Sequence, residues 1–128
     1  MINLTSFPYF KEKASLKKLN RHVRLHRDFM MHQLASATGC SLPDAMGIIL
    51  LLYAKQLGDI QVAIYHKDDL STPMFVKRAE EGPPKIPFIN PLNESEIGSR
   101  EELAYDFILK LHSGIEIMFN HVSHDDSK

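Results

Sequence analysis

The apolar positions of the chain fall into stretches of two different periods. Leu16, Leu19 and Val23 recur at helical spacing while Lys17, Lys18, Arg21, Arg24 and Arg27 occupy the other faces, which predicts an amphipathic helix from about Ser15 to His26. Asp28 can cap a second helix running through Phe29, Met30, Leu34 and Ala35 to Thr38, or the two form one continuous helix; Gly39 ends it. The third stretch is marked at both ends. Ser41 followed by Asp44 makes a capping-box-like start, Pro43 is tolerated in the first turn and Gly58 supplies the stop, giving a helix over about Leu42 to Leu57. Then the period drops to two. Ile60, Val62 and Ile64 alternate with Gln61, Ala63 and Tyr65, Phe75 and Val76 follow, and the polar stretch Lys67 to Thr72 joins them as a hairpin.

Gly82-Pro83-Pro84-Lys85-Ile86-Pro87-Phe88-Ile89-Asn90-Pro91 cannot be helical, so residues 80–98 are expected to form an extended connector. Ser99 with Glu102 completes a capping box and predicts a last helix over 99–122, with Gly114 as a weak point. Within it Ala104, Ile108, Leu111, Ile115, Met118 and Val122 follow the seam of a heptad coil, and Leu103, Phe107 and Phe119 widen the apolar face. One side can serve the domain and the other a second copy, so a homodimer joined through this helix is expected. Ahead of the first helix, Phe7-Pro8-Tyr9-Phe10 reads as an extended arm whose rings pack on the domain. The expected fold class is therefore mainly α with a small β-hairpin.

Length adds one constraint: 128 residues suit a single domain, taken as 1–128, and 44% hydrophobic with 24% charged residues is a globular composition. The longest apolar run, Met46 to Ala54, is half a membrane span, and no basic segment followed by an apolar stretch opens the chain. Cys40 is the lone cysteine and makes no internal disulfide, which suits a reducing compartment. A cytoplasmic protein without membrane contact is expected. The tripeptides at Asn3 and Asn93 that match a glycosylation acceptor then carry no consequence.

Charge changes the picture more. Residues 1–58 carry 8 Lys and Arg against 3 acids, whereas residues 59–128 carry 7 against 13. Such asymmetry fits a basic face for an anionic partner, two halves that attract each other, or simply solvated faces of differing sign.

Leu34-Ala35-Ser36-Ala37-Thr38-Gly39-Cys40-Ser41 resembles the first helix and turn of helix-turn-helix domains, with Leu42 to Leu57 where their recognition helix lies. Ala35 lets the helices approach, Gly39 takes the left-handed turn conformation and Cys40 plugs the small core between them. With the preceding basic helix and the hairpin from Asp59 to about Ala79, the order is similar to that of the winged helix-turn-helix superfamily over about residues 15–79. Two departures stand out. The third helix is about half a turn longer than in compact bacterial regulators of this type, and Ala45 replaces a larger β-branched residue.

The resemblance implies that the third helix reads bases in the major groove. Its corresponding positions here are Ser41, Leu42, Pro43, Met46, Gly47 and Leu50, which offer a base edge almost nothing beyond contact with thymine methyl groups. Leu42, Met46 and Leu50 are instead expected to be at least partly buried, in the core or against a partner. The stronger nucleic-acid signal is the strip from Lys11 to Arg27, where seven Lys or Arg, including Lys17, Lys18, Arg21, Arg24 and Arg27, would engage phosphates without reading sequence. Asp68 and Asp69 in the hairpin loop oppose such an approach. His22 with His26 and His121 with His124 have ligand-like spacing but no converging third ligand, so no metal or cofactor is expected. Phosphate-cradling glycine loops, nucleophile elbows and paired carboxylates are all missing, so no catalysis is expected. The function expected is that of a small winged-helix regulator or binding protein for double-stranded DNA. The alternative is a protein-interaction module that keeps the frame and presents its apolar third helix to a protein partner.

Overall fold

In the computed structural model, which describes residues 2–5 and 13–120, the helices fall in the first half of the chain and most of the strands in the second. The order is β1 (Ile2–Thr5), α1 (Lys13–Leu25), β2 (Asp28–Met30), α2 (Met31–Thr38), α3 (Leu42–Ala54), β3 (Gly58–His66), β4 (Phe75–Arg78), β5 (Phe88–Ile89), β6 (Glu96–Ile97), β7 (Leu103–Leu111) and β8 (Ile117–Asn120). One-turn 3₁₀ helices at Ala79–Glu81 and Arg100–Glu102 precede the connector and β7. The main sheet is antiparallel with strand order β2-β7-β3-β4; β1 pairs in parallel with β8, and β5 pairs with β6.

The register explains the core. Phe29 and Ile60 flank Leu109 on neighbouring strands, and Phe107 lies opposite Val62, so these side chains share one sheet face. Leu16, Leu19 and Val23 of α1, Leu34 of α2, and Ile48, Ile49 and Leu52 of α3 pack over that face, with Ile117 and Phe119 of β8 joining beneath α1. Burial of each such large side chain contributes on the order of 1.5–3 kcal/mol. Farther along the same face a second cluster forms around Ile64, Met74, Ile97 and Leu103, with Phe75 and Phe88 at 5.3 Å between ring centroids.

Between α2 and α3 the chain turns through Gly39-Cys40-Ser41, and the two helix axes differ by 117°. Gly39 takes φ +78 and donates its N–H to the Ala35 carbonyl at 2.8 Å, closing α2. Ser41 Oγ accepts from the Asp44 N–H at 3.2 Å and opens α3.

Several expectations are overturned. The fold is mixed α and β, with three helices and eight strands among the described residues, rather than mainly α with a small hairpin. The helix expected over 99–122 does not form: the Ser99–Glu102 capping box is real but caps a single 3₁₀ turn, after which β7 begins. Leu103, Tyr105, Phe107, Leu109 and Leu111 alternate as well as they follow a helical stripe, and β7 is bonded to both β2 and β3, so paired backbone on both edges outweighs local helix preference. The heptad seam is thereby dissolved. Ala104 and Ile108 lie on one face of β7, Leu111 on the other, Ile115 in the following turn and Met118 on β8, while Val122 falls outside the described residues. The residues expected to form the core, 15–79, are joined in it by β7 and β8, because the central strand of the sheet comes late in the chain, and the 80–98 connector contains the β5–β6 pair.

Smaller corrections follow the same logic. Asp28–Met30 is a strand on β7 rather than the start of α2. α3 ends at Ala54; Gln56 takes φ +61, and Gly58 opens β3 instead of stopping a helix. A Cβ at Gly58 would stand 2.4 Å from the Lys110 carbonyl oxygen, so close strand approach demands glycine there. Most of the aromatic arm, Phe7 to Phe10 included, lies outside the described residues. No single helix is long and apolar enough to cross a membrane among them.

Candidate functional site

Helix α1 turns Leu16, Leu19, His22 and Val23 inward and leaves Lys17, Lys18, Arg21 and Arg24 exposed. Lys17, Arg21 and Arg24 are spaced i, i+4 and i+7, so they line one face with Lys18 beside them. The helix contains no acidic residue, and none of these four cations forms an ion pair among the described residues. Between the basic and the buried sides the helix is fastened by Asn20, whose amide donates to the Phe119 carbonyl at 2.9 Å and accepts from the Phe119 N–H at 2.8 Å. The basic face is thus carried on a helix locked to β8.

Arg27 separates from this group. Its guanidinium donates to the carbonyls of Ile115 and, at 2.8 Å, His112, while the Leu111 N–H donates to the Arg27 carbonyl at 3.0 Å. Those bonds pin the turn between β7 and β8, which makes Arg27 a structural clasp despite its exposure.

The histidine pair on α1 stacks rather than converging on a metal. His22 and His26 rings lie 4.3 Å apart, and His22 is buried with Nε2 lacking a hydrogen-bond partner among the described residues. Burial pushes its pKa below the usual histidine value, and the neighbouring His26 charge acts in the same direction. Among the described residues no three His, Cys, Asp or Glu side chains gather where they could hold a metal ion; His121 and His124 lie outside them.

On α3 the inward residues are Ala45, Ile48, Ile49 and Leu52. Its outward residues keep much of their surface in water: Leu42 is 41% exposed, Leu50 49% and Tyr53 47%, with Met46 half-buried. Met46, Leu50 and Tyr53 form one wall of an open groove of about 680 Å³, whose other walls are Ile60, Phe107 and the hairpin. The groove rim is not cationic. Asp59 and Glu80 stand beside Arg78, and Arg78 is ion-paired with Glu80, its Nε donating at 2.7 Å. Asp68 and Asp69 lie in the loop at the far end of the hairpin, where they line a separate cavity with His66 and Asn90; the groove rim itself offers a phosphate backbone no unpaired cation among the described residues. α1 packs on α2 and β8, whereas the groove is built from α3, β3, β4 and β7; the basic face and the groove share no residue.

One polar cluster escaped the sequence reading. Asp106 is buried on β7, where it accepts from the His32 backbone N–H at 3.2 Å and meets His32 Nδ1 at 3.0 Å. Met30 offers no side-chain cap to α2, so Asp106 caps that helix from across the sheet. Burial, with the Asp106 charge second, raises the Tyr65 phenol above its ordinary pKa. The only signal in the sequence was an acid inside the apolar run from Leu103 to Leu109. Comparison with protein-family models, with curated proteins and with solved structures found no match.

Proposed function

We propose that this protein binds nucleic acid through its phosphate backbone, without reading base sequence, on a winged helix-turn-helix frame of mixed α and β composition. The observation that carries the reading is the face of α1, where Lys17, Lys18, Arg21 and Arg24 stand exposed and free of ion pairs among the described residues. A cluster of this kind engages phosphates by displacing condensed counterions. The frame is supported by the helix, strand, helix, helix, strand, strand order of α1 to β4 and by a crossing of 117° about a three-residue turn containing Gly39. α3 is poorly suited to base reading, since the hydroxyl of Tyr53 near its C-terminal end is the one hydrogen-bond donor among its outward side chains and Asp44 its one charge, of the wrong sign for phosphates. With a lone cysteine, the cytosol is the compartment that suits the chain best.

Fluorescence anisotropy with random duplex DNA across a salt series tests this. Binding should weaken with salt along a log–log slope of about −3 to −4, as expected for four neutralised phosphates. Replacing all four cations with Ala should weaken binding alike on unrelated sequences and flatten that slope. A native chain that binds no duplex at low salt overturns the reading and favours the second one, a protein-interaction module, for which the exposed Leu42, Leu50 and Tyr53 speak.

A further inference from the structure

We infer that the outward face of α3 is a self-association surface on which a second copy of this chain lays its own α3 antiparallel. The inference is independent of the nucleic-acid reading, since α1 contributes nothing to that face.

Three features of α3 point to this occupant. Its outermost positions, Pro43, Gly47, Leu50 and Ala54, follow the 4, 3, 4 spacing of a coil seam and sit opposite the buried side of the helix. Pro43, Leu50 and Ala54 are exposed and Gly47 half-buried. A two-fold axis across the middle of an antiparallel pair sets Leu50 of each copy over Gly47 of the other, and Pro43 beside Ala54. Every layer then joins a bulky residue to a small one. A parallel pair would instead stack Leu50 on Leu50 and leave a gap between two glycines, which close packing disfavours.

The flanks make the same choice. Asp44 is the sole charged residue inside α3 and Lys55 caps its C-terminal end; neither forms an ion pair among the described residues. Eleven residues separate them, about three helical turns, so they lie on one flank. Antiparallel pairing sets like flanks together and brings Asp44 of each copy to Lys55 of the other, whereas parallel pairing sets unlike flanks together and would leave Asp44 beside Met46 and Lys55 beside Tyr53 with no charge partner. On the opposite flank Met46 meets Tyr53 of the second copy, a favourable sulfur–aromatic contact that covers the open side of the groove. Size and charge along α3 are therefore matched by the same helix run in reverse.

Sedimentation equilibrium of the full chain, with helix content followed by circular dichroism, provides the test. The native chain should be dimeric at roughly 50 μM, a concentration at which even a modest interface is populated. Leu50→Asp should give a folded monomer, because Leu50 is half in water in the single chain and its loss opens no cavity in the core. Asp44→Lys and Lys55→Asp should each raise the dissociation constant by roughly three- to fivefold. Asp44→Lys combined with Lys55→Asp should return it to near the native value. A monomeric native chain, a Leu50→Asp variant that stays dimeric, or a double charge reversal that fails to restore association overturns the inference.

Discussion

Asn20 and Phe119 exchange two hydrogen bonds, side chain against backbone, at 2.9 and 2.8 Å. In effect the Asn20 amide imitates a neighbouring strand, and α1 is sewn to β8 along an edge that would otherwise need water. Asn20→Leu fills similar volume but strands the Phe119 N–H and carbonyl. It should cost about 2–4 kcal/mol, read as a lowered urea midpoint with an unchanged denaturant slope.

His22 gives the fold a defined response to acid. Its folded-state pKa lies below 6.5, so under acidic conditions the unfolded chain binds more protons than the folded one. The His22 contribution is therefore complete above pH 6.5 and is lost as the pH falls below it. Urea midpoints should decline from pH 7.5 toward pH 5.5, and His22→Leu should remove that part of the decline. A His22→Leu profile parallel to the native one would show that the ring is not the titrating group.

Gly58→Ala and Gly39→Ala should separate two reasons for glycine. At Gly58 an added methyl meets backbone oxygen at 2.4 Å, so the variant should lose about 1–3 kcal/mol by forcing β3 away from β7. At Gly39 nothing lies within 4 Å, and only φ +78 opposes a side chain, at a cost of about 1 kcal/mol. Thermal melts order the two, and hydrogen exchange at the His112 N–H, which bonds the Leu57 carbonyl, should quicken only in the first.

Arg27→Ala should separate clasp from contact. Losing the two guanidinium bonds to the Ile115 and His112 carbonyls should lower stability by about 1–2 kcal/mol while leaving the affinity for duplex DNA close to native. Arg27→Lys should not recover the loss, because an ammonium lacks the planar fork that reaches two carbonyls. An Arg27→Ala chain of native stability but weakened DNA affinity would return Arg27 to the basic face.

The helical half of the fold was legible because its punctuation is local: Gly39, Ser41, Asp44 and the Leu16, Leu19, Val23 stripe act within one or two turns. The β3–β4 hairpin was legible for the same reason, since Val62 and Ile64 pair with Lys77 and Phe75 across a single loop. β7 was not. Its apolar residues satisfy both periods, and what decides between them is pairing with β2 and β3, a fact that no window of neighbouring residues contains. β2 failed likewise, being three residues whose strand character exists only against Ile108 to Lys110. Among the site residues, exposure of Lys17 to Arg24 followed from helical phase, whereas the diversion of Arg27 to distant carbonyls and the capping of α2 by Asp106 required the folded sheet.

The place of β7 between β2 and β3 also sets an order of events during synthesis. A ribosome adding about 5–20 residues per second presents all three helices and both arms of the hairpin a few seconds before Leu103 to Leu111 emerge. Until then the inner edges of β2 and β3 have no strand to bond, and Ile60 and Phe29 have no Leu109 between them. The nascent chain therefore waits with an open seam, and the last long strand enters it as a wedge that completes the sheet from within. Mutations that weaken β7 should accordingly be felt less as a softened native state than as a longer vulnerable interval, in which chaperones and proteases meet the unfinished seam.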